Sequence, residues 1–293
     1  MALTVSTILV CVDDSHSATS AAQVAAVIAR ACHSAVTVLG LAAPGANRSA
    51  ITAAAERVAA MLPDGALGTA VEPTRRVRGR ALYERAAAHD LVVVGAHLRR
   101  RTIPLIGQQV VDYLASHVSG PLIIARAEPD SLGKMLIGVA GGSQSLAPLR
   151  WGVQLASVLG GRADVVHVAD PIPHMYDGLP GMAEGAEDLI ESPTLPGHVL
   201  RHSARYMQRL HVEGDILTPH GDVLEEMLRL TAEGGYNLVV TGSFYARPGI
   251  AKYALGNVTK EVALRAPCSV AIVPPHRRPT AHETARLPAD LET

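Results

Sequence analysis

Short runs of apolar, mostly β-branched residues alternate along the chain with longer segments of mixed polarity. The clearest run extends from Leu91 to Gly95, and a closely similar run extends from Leu238 to Gly242. A buried β-branched run that ends in glycine is typical of a parallel strand whose backbone turns sharply or approaches another group closely. Because ligands of open α/β sheets gather at the carboxyl ends of the strands, we expect Gly95 and Gly242 at the edge of any site.

The first part of the chain follows this alternation throughout. An alanine-rich helix ends near Cys32, and Ser15 or Ser17 is expected to cap its start. Strands alternating with helices predict an α/β fold with a mainly parallel sheet and helices on both faces. The other predicted elements are strands over 7–12, 35–41, 68–71, 91–95 and 121–125, and helices over 50–62, 80–89 and 108–117.

The same series restarts in the second part of the chain. The apolar run from Met135 to Val139 corresponds to the run from Ile8 to Val12, and residues 266–273 correspond to residues 119–125. Such correspondence predicts a duplicated domain. We assign residues 1–128 to the first domain, 132–275 to the second, and 276–293 to a polar C-terminal tail without predicted secondary structure.

Two further segments bear on how the halves are organised. Residues 121–125 and 270–273 are short, apolar and otherwise uncapped, so we expect them to pair with each other in one chain, or with their equivalents in a homodimer. Residues 170–197 form a Pro- and Gly-rich insertion that the first half lacks. A segment of this length is either a connector or a functional lid.

Composition narrows the class of protein. The 293 residues include 26 Lys and Arg against 27 Asp and Glu, and only 3% are aromatic, which argues against nucleic acid and against an anionic membrane surface. No apolar run approaches the roughly 18 residues of a membrane helix. The three cysteines, Cys11, Cys32 and Cys268, lie in apolar contexts, as expected for free thiols in a reducing cytoplasm.

These residues resemble the universal stress protein family. The resemblance rests on the strand from Ile8 to Asp13, the strand ending at Gly95, and the glycine-containing loop that follows it. It is clearest over residues 238–242 and 266–270, and it covers both halves of the chain, about 8–126 and 135–273. The family implies two tandem Rossmann-like (adenine-nucleotide α-hydrolase-like) domains, each with a five-stranded sheet, whose last strands pair across a pseudo-twofold axis.

The resemblance also implies a nucleotide site. Family members that bind ATP carry an aspartate after the first strand and, after the fourth, a motif of Gly, two residues, Gly, nine residues, Gly and Ser or Thr. Such glycines let backbone N–H groups approach phosphate oxygens at a helix N-terminus. In the first half the resemblance therefore implies that ATP or AMP, without a metal, is held by Asp13 on the nucleoside, the Leu41 backbone on the base, and Gly95 and Gly107 on the phosphates.

Both halves depart from this motif. In the first half, Leu98 replaces the second glycine, and Gly107 arrives one residue early and is followed by Gln108. A Cβ atom at position 98 crowds the backbone approach that glycine allows. Arg99, Arg100 and Arg101 could hold a phosphate instead, or form a solvated loop, and His97 could reach a ligand or lie at the surface without a partner.

The second half departs further. Ala140 replaces the aspartate, and Tyr245 replaces the second glycine. Its degenerate site comprises Ala140, Val168, Gly242, Gly256 and Asn257. We therefore expect the first half to keep more of the nucleotide pocket.

Other motifs suggest weaker alternatives. The turn from Ala140 to Ser145 resembles the pyrophosphate loop of ATP-pyrophosphatase enzymes, but Gln144 stands where that loop has an aspartate, and a helix-capping turn explains it as well. His198 and His202 share one helix face if a helix begins at Gly197, without a recognisable third metal ligand. We read the chain as a non-catalytic, stress-linked binding module. The alternative is a member that has lost nucleotide binding and holds another ligand or a protein partner.

Overall fold

The computed structural model describes nine segments of the chain, and every structural statement below concerns these segments. They are residues 3–42, 47–63, 65–73, 80–96, 120–126, 132–142, 145–171, 186–242 and 256–274. The predicted helix over 108–117 and the C-terminal tail beyond residue 274 lie outside them.

Both halves repeat one order of strands and helices. The first half contains β1 (Thr7–Val12), α1 (Ser17–Cys32), β2 (Ala35–Ala42), α2 (Arg48–Met61), β3 (Gly68–Pro73), α3 (Arg80–Ala87), β4 (Leu91–Gly95) and β5 (Leu122–Ala125). The second half contains β6 (Lys134–Gly138), α4 (Leu146–Leu159), β7 (Arg162–Val166), α5 (Ala186–Glu191), α6 (Leu195–Arg209), β8 (Ile216–Leu217), α7 (Val223–Glu233), β9 (Leu238–Gly242), α8 (Gly256–Arg265) and β10 (Ser269–Val273).

The strands form one ten-stranded sheet in the order β3-β2-β1-β4-β5-β10-β9-β6-β7-β8. All pairs are parallel except β5 with β10, which are antiparallel and join the two halves. The β5–β10 register is symmetric about the pair Ile123 and Ala271, as a pseudo-twofold axis requires. The predictions of two tandem Rossmann-like sheets and of an intrachain pairing of their last strands are confirmed. The homodimer stays a prediction.

Side-chain hydrogen bonds reinforce the β5–β10 pairing between the two halves. The Ser269 hydroxyl oxygen accepts from the backbone N–H of Arg126 at 3.0 Å, and the same hydroxyl lies 3.1 Å from the Arg126 carbonyl, to which it can donate. The buried Arg126 guanidinium donates to the Ala263 carbonyl near the end of α8. Its pKa is lowered by burial. The two halves are therefore joined by the β5–β10 strand pairing, by the bonds of the Ser269 hydroxyl and by the bond of the Arg126 guanidinium.

Apolar residues on both sides of the sheet explain why it is sandwiched between helices. The first cluster combines one face of the strands with α1, α2, α4 and α6, and the second combines the other face with α3, α7 and α8. Alanines dominate the buried face of α1, so this helix approaches β1 and β4 closely. None of the helices in the described segments combines the length and the apolar character needed to cross a bilayer.

The polar residue that precedes each fourth strand has one structural role in both halves. The Asp90 carboxylate accepts from the Thr7 backbone N–H at 3.1 Å, and the Asn237 side-chain oxygen accepts from the Lys134 backbone N–H at 3.0 Å. Each residue thereby ties the start of the fourth strand to the start of the first. The two halves thus share this bond at their amino edges.

Two predictions about local structure are wrong. Neither Ser15 nor Ser17 caps α1, because His16 occupies the N-cap position and no side chain bonds the first amides of the helix. The insertion is not loop throughout, because α5 and the start of α6 lie within it and Leu189 of α5 is buried. Residues 172–185 lie outside the described segments, so the lid interpretation stays a prediction.

Candidate functional site

The carboxyl edge of the first sheet carries a carboxylate that the chain itself orients. Asp13 follows β1, and its Oδ1 atom accepts from the Ser15 backbone N–H at 3.0 Å and from the Ser15 hydroxyl at 2.5 Å. The Ser15 and Ser17 hydroxyl oxygens are 2.7 Å apart. These bonds hold the half-buried Asp13 side chain in one orientation at the strand end. Ser15 thus orients Asp13 rather than capping the helix.

Leu41 and Gly95 lie at the ends of the two strands that flank β1. Leu41 is half-buried near the end of β2, and Gly95 is the last residue of β4. Since both strands pair with β1 in parallel, the two residues lie at the same sheet edge as Asp13. The structure therefore brings together three of the residues that the sequence singled out, Asp13, Leu41 and Gly95.

The close packing of α1 requires a glycine at position 95. A Cβ atom added there would lie 2.3 Å from the Ser17 carbonyl oxygen and 2.6 Å from the Ser17 hydroxyl oxygen. No side chain fits at such distances, because the obstacle includes backbone of the first turn of α1. Gly95 is therefore required by the approach of α1 to β4, whether or not a phosphate is bound nearby.

The corresponding edge of the second sheet is built differently. Ala140 stands at the Asp13 position, and its carbonyl accepts from the Ser145 hydroxyl at 2.5 Å. A Cβ atom added at Gly141 would lie 2.8 Å from Cγ of Pro196, in the first turn of α6. The insertion therefore delivers a helix that contacts the turn where the first half has Asp13 and Asp14.

The other residues of the degenerate site are spread along the same edge. Val168 is half-buried just beyond β7, and the neighbouring His167 ring nitrogen Nδ1 lies 3.1 Å from the Val139 carbonyl oxygen. Gly242 ends β9, where an added Cβ atom would make only an ordinary contact of 3.6 Å with Pro148. Gly256 begins α8 and Asn257 follows it.

Several predicted site residues lie outside the described segments, and their roles stay predictions. In the first half they are His97, Arg99, Arg100, Arg101, Gly107 and Gln108. In the second half the central residues of the pyrophosphatase-like turn, Ser143 and Gln144, also lie outside. Ser145 stands at the N-cap position of α4 without a side-chain capping bond, and its hydroxyl donates to the Ala140 carbonyl instead.

The two histidines at a four-residue spacing do lie on one helix, α6. His198 Nδ1 is 2.9 Å from the Arg201 guanidinium, and the His202 ring stacks on Tyr206 with ring centroids 5.9 Å apart. No group of three or more His, Cys, Asp or Glu side chains in the described part of the chain is arranged to hold a metal ion.

The cysteines show no activated thiol. Cys11 and Cys268 are buried, Cys32 is half-buried, and none of the three forms a disulfide. Burial raises the pKa of Cys268 to about 11 and raises the pKa of Cys32 above its ordinary value. Since the thiolate is the reactive form, these thiols are poor nucleophiles at neutral pH.

Sequence reasoning missed a buried polar network at the amino edge of the second sheet. The Asp164 carboxylate on β7 accepts from the Tyr236 hydroxyl at 2.7 Å, from the Asp215 backbone N–H at 2.9 Å and from the Arg162 guanidinium at 2.7 Å. Burial alone would raise the pKa of Asp164, but these three donors outweigh burial and lower it. Burial and the Asp164 carboxylate raise the pKa of Tyr236. An aspartate directly before an apolar run, Asp164 before Val165 and Val166, was the available signal.

The repeated strand order and the strand-end residues define a tandem Rossmann-like α/β protein. The sequence profile of the universal stress protein family matches residues 4–126 and 132–274. The chain therefore belongs to the universal stress protein family. No curated protein matches the sequence.

Two solved structures that cover both halves agree with the fold. A universal stress protein from Archaeoglobus fulgidus DSM 4304 is 13% identical and superposes with a TM-score of 0.65, covering 92% of this chain and 98% of its own. A putative universal stress protein from Pseudomonas aeruginosa UCBPP-PA14 is 16% identical with a TM-score of 0.63, covering 92% and 93%. A universal stress protein in complex with cAMP is 20% identical with a TM-score of 0.40, covering 50% and 97%.

Proposed function

We propose that the protein is a non-catalytic binding module whose first half holds an adenine nucleotide, ATP or AMP, and whose second half does not. The supporting observation is the oriented Asp13 carboxylate, which lies at the carboxyl edge between the strand ends that carry Leu41 and Gly95. Ligands of open α/β sheets gather at this edge. The cytoplasmic location and the domain boundaries stay predictions from the sequence.

The carboxylate suits the sugar of a nucleoside. Ribose hydroxyl groups are hydrogen-bond donors, and an ionised carboxylate is an acceptor with two oxygens. Bonds to a charged acceptor are stronger than bonds between neutral groups. An acceptor already oriented by Ser15 also loses less freedom when the ligand binds.

The second half has no carboxylate at the position equivalent to Asp13. Ala140 has only a methyl group, and Pro196 packs against the neighbouring Gly141. A nucleotide at this edge would lose the carboxylate bonds and would meet the start of α6. We therefore expect one nucleotide per chain.

The test compares two neighbouring aspartates by calorimetric titration of the full chain with AMP and with ATP. Asp13→Asn should weaken binding by roughly tenfold or more, since a bond to a charged group contributes about 1.5–3 kcal/mol. Asp14→Asn removes the same charge from the adjacent, exposed residue and should leave affinity within about twofold. Equal effects of the two changes, or two equivalent sites per chain, would refute the proposal.

The phosphates need a cationic partner, because Leu98 stands where the loop glycine would be. We assign this role to Arg99, Arg100 and Arg101, since guanidinium groups bind phosphate oxygens in pairs. Replacing all three with alanine should weaken ATP binding by roughly tenfold or more and leave adenosine binding within about twofold. Loss of adenosine affinity together with ATP affinity would indicate damage to the fold, and unchanged ATP affinity would show that the arginines are solvated.

A further inference from the structure

One surface of the second half concentrates positive charge. On α6, His198, His202, Arg205 and Arg209 follow one another at intervals of four, three and four residues, so they lie along one side of the helix. The neighbouring helix α4, which packs against α6, contributes the exposed Arg150. Neither helix contains an aspartate or a glutamate. We call Arg150, His202, Arg205 and Arg209 the arginine surface.

The arginines of this surface differ from others in the same half. Arg162 contacts Asp164 at 2.7 Å and Asp215 at 2.8 Å. Arg229 contacts Glu226 at 2.7 Å and Glu233 at 2.6 Å. Within the described segments, the guanidinium groups of the arginine surface make no ion pair; Arg209 lies 4.9 Å above the Tyr206 ring instead.

The environment of His202 shows the effect of the arginine charges that no ion pair compensates. Its half-buried ring is stacked on Tyr206, and Nε2 has no hydrogen-bond partner in the described part of the chain. The pKa of His202 is lowered first by burial and then by Arg150, Arg209 and Arg205. The acidic helix α5 contacts α6 nearer its start, where Arg201 donates to the Ile190 and Ser192 carbonyls.

The corresponding helix of the first half does not carry an equivalent surface. Its corresponding helix, α2, carries Glu56 next to Arg57, and both side chains are exposed. Of these two corresponding helices, only α6, in the half with the degenerate strand-end site, carries the uncompensated charge.

We propose that the arginine surface binds the phosphate groups of a small oligophosphate. Three guanidinium groups offer planar sets of donors that match phosphate oxygens in pairs. From His202 to Arg209 the helix rises by roughly 10 Å, the scale of a few linked phosphates. The site is separate from the nucleotide site proposed for the first half.

Inorganic tripolyphosphate and the full chain provide the test, by calorimetry at low ionic strength. The triple variant Arg150→Gln, Arg205→Gln and Arg209→Gln should bind at least roughly tenfold more weakly than the unaltered protein. The control variant Arg30→Gln, Arg57→Gln and Arg265→Gln removes the same charge from exposed arginines elsewhere and should stay within about twofold. Should the triple variant not fold, Arg150→Gln alone should weaken binding by roughly threefold or more.

Histidine NMR supplies a second readout. A bound oligophosphate offsets the charge of the three arginines, so saturation with tripolyphosphate should raise the pKa of His202, and the triple variant should abolish this rise. Replacing Arg99, Arg100 and Arg101 with alanine removes the phosphate contacts proposed for the nucleotide site and should leave the rise of the His202 pKa unchanged, which separates the two sites. Absence of binding to the unaltered protein, equal weakening in the test and control triple variants, or an unmoved His202 pKa would overturn the proposal.

Discussion

The amino edges of the two halves share the bond that ties the fourth strand to the first, whereas the carboxyl edges do not share a carboxylate after the first strand. At the amino edges, Asp90 and Asn237 make the same bond to the start of the first strand of their half. At the carboxyl edges, Asp13 corresponds to Ala140, and a helix from the insertion contacts the turn beside Ala140. The duplicated chain has kept the bonds that set strand register and has changed the groups that could meet a ligand.

The strand-end glycines show the same divergence. Gly95 and Gly242 occupy equivalent positions, yet only Gly95 is pressed against another backbone, that of Ser17. The glycine that ends the fourth strand therefore has a different structural role in each half. In the first half it admits a helix, and in the second it lies in ordinary contact with Pro148.

The largest expected effect concerns Asp164, whose position in the first half holds Thr37 according to the strand registers. Asp164→Ala leaves the Tyr236 hydroxyl and the Asp215 N–H without their acceptor, and each loss costs about 1–3 kcal/mol. We expect urea unfolding to show a loss of about 3 kcal/mol. Asp215→Ala is the control: its carboxylate is 72% exposed, so it should cost less than about 1 kcal/mol.

The same pair predicts a pH dependence. The pKa of Asp164 is lowered in the folded protein, so its contribution is complete above the unfolded value of about 3.9 and is lost as the pH falls through the folded value. The stability difference between the unaltered protein and Asp164→Ala should therefore be constant near neutral pH and shrink in acid. A difference that grows below about pH 4 would contradict the hydrogen-bond assignment.

A smaller effect separates the two glycines. Gly95→Ala places a methyl group against the Ser17 backbone and should lower the free energy of unfolding by about 2 kcal/mol. Gly242→Ala meets only Pro148 at 3.6 Å and should change it by less than about 0.5 kcal/mol. Matched denaturation curves of the two variants give the loss in free energy of unfolding for each. Equal losses would show that the carboxyl edges of the two halves are more alike than we describe.

The smallest expected effect is on the second half. Ala140→Asp restores the missing carboxylate, but Pro196 still packs on the adjacent Gly141. We expect the stoichiometry of AMP binding to stay at one per chain in equilibrium dialysis. A second site created by this one change would show that the aspartate alone separates the halves.

Much of the fold was predictable because buried strands leave a local signal. The runs ending at Gly95 and Gly242 are apolar and β-branched, and the structure places strands there with the predicted bounds. The start of α6 was missed, although Thr194 followed by Pro196 is the signature of a helix start, and the Thr194 hydroxyl accepts from the Gly197 N–H. Strand β8 has two residues, too few for a periodic pattern.

The site was less predictable because it depends on contacts between distant segments. The sequence identifies a glycine at the end of β4, but only the fold shows that Ser17 lies against Gly95. Likewise, nothing near Ala140 indicates that Pro196, more than fifty residues later, contacts its turn. Asp13 was found because its position after the first strand is a local feature.

The most direct test of the unequal halves is to locate the bound nucleotide. Photolabelling the full chain with an azido analogue of ATP, followed by peptide mapping, reports which half contacts the base. We predict label on peptides from the first half, near Leu41, and its loss in Asp13→Asn but not in Asp14→Asn. Label on peptides from the second half, or equal label on both halves, would contradict the account.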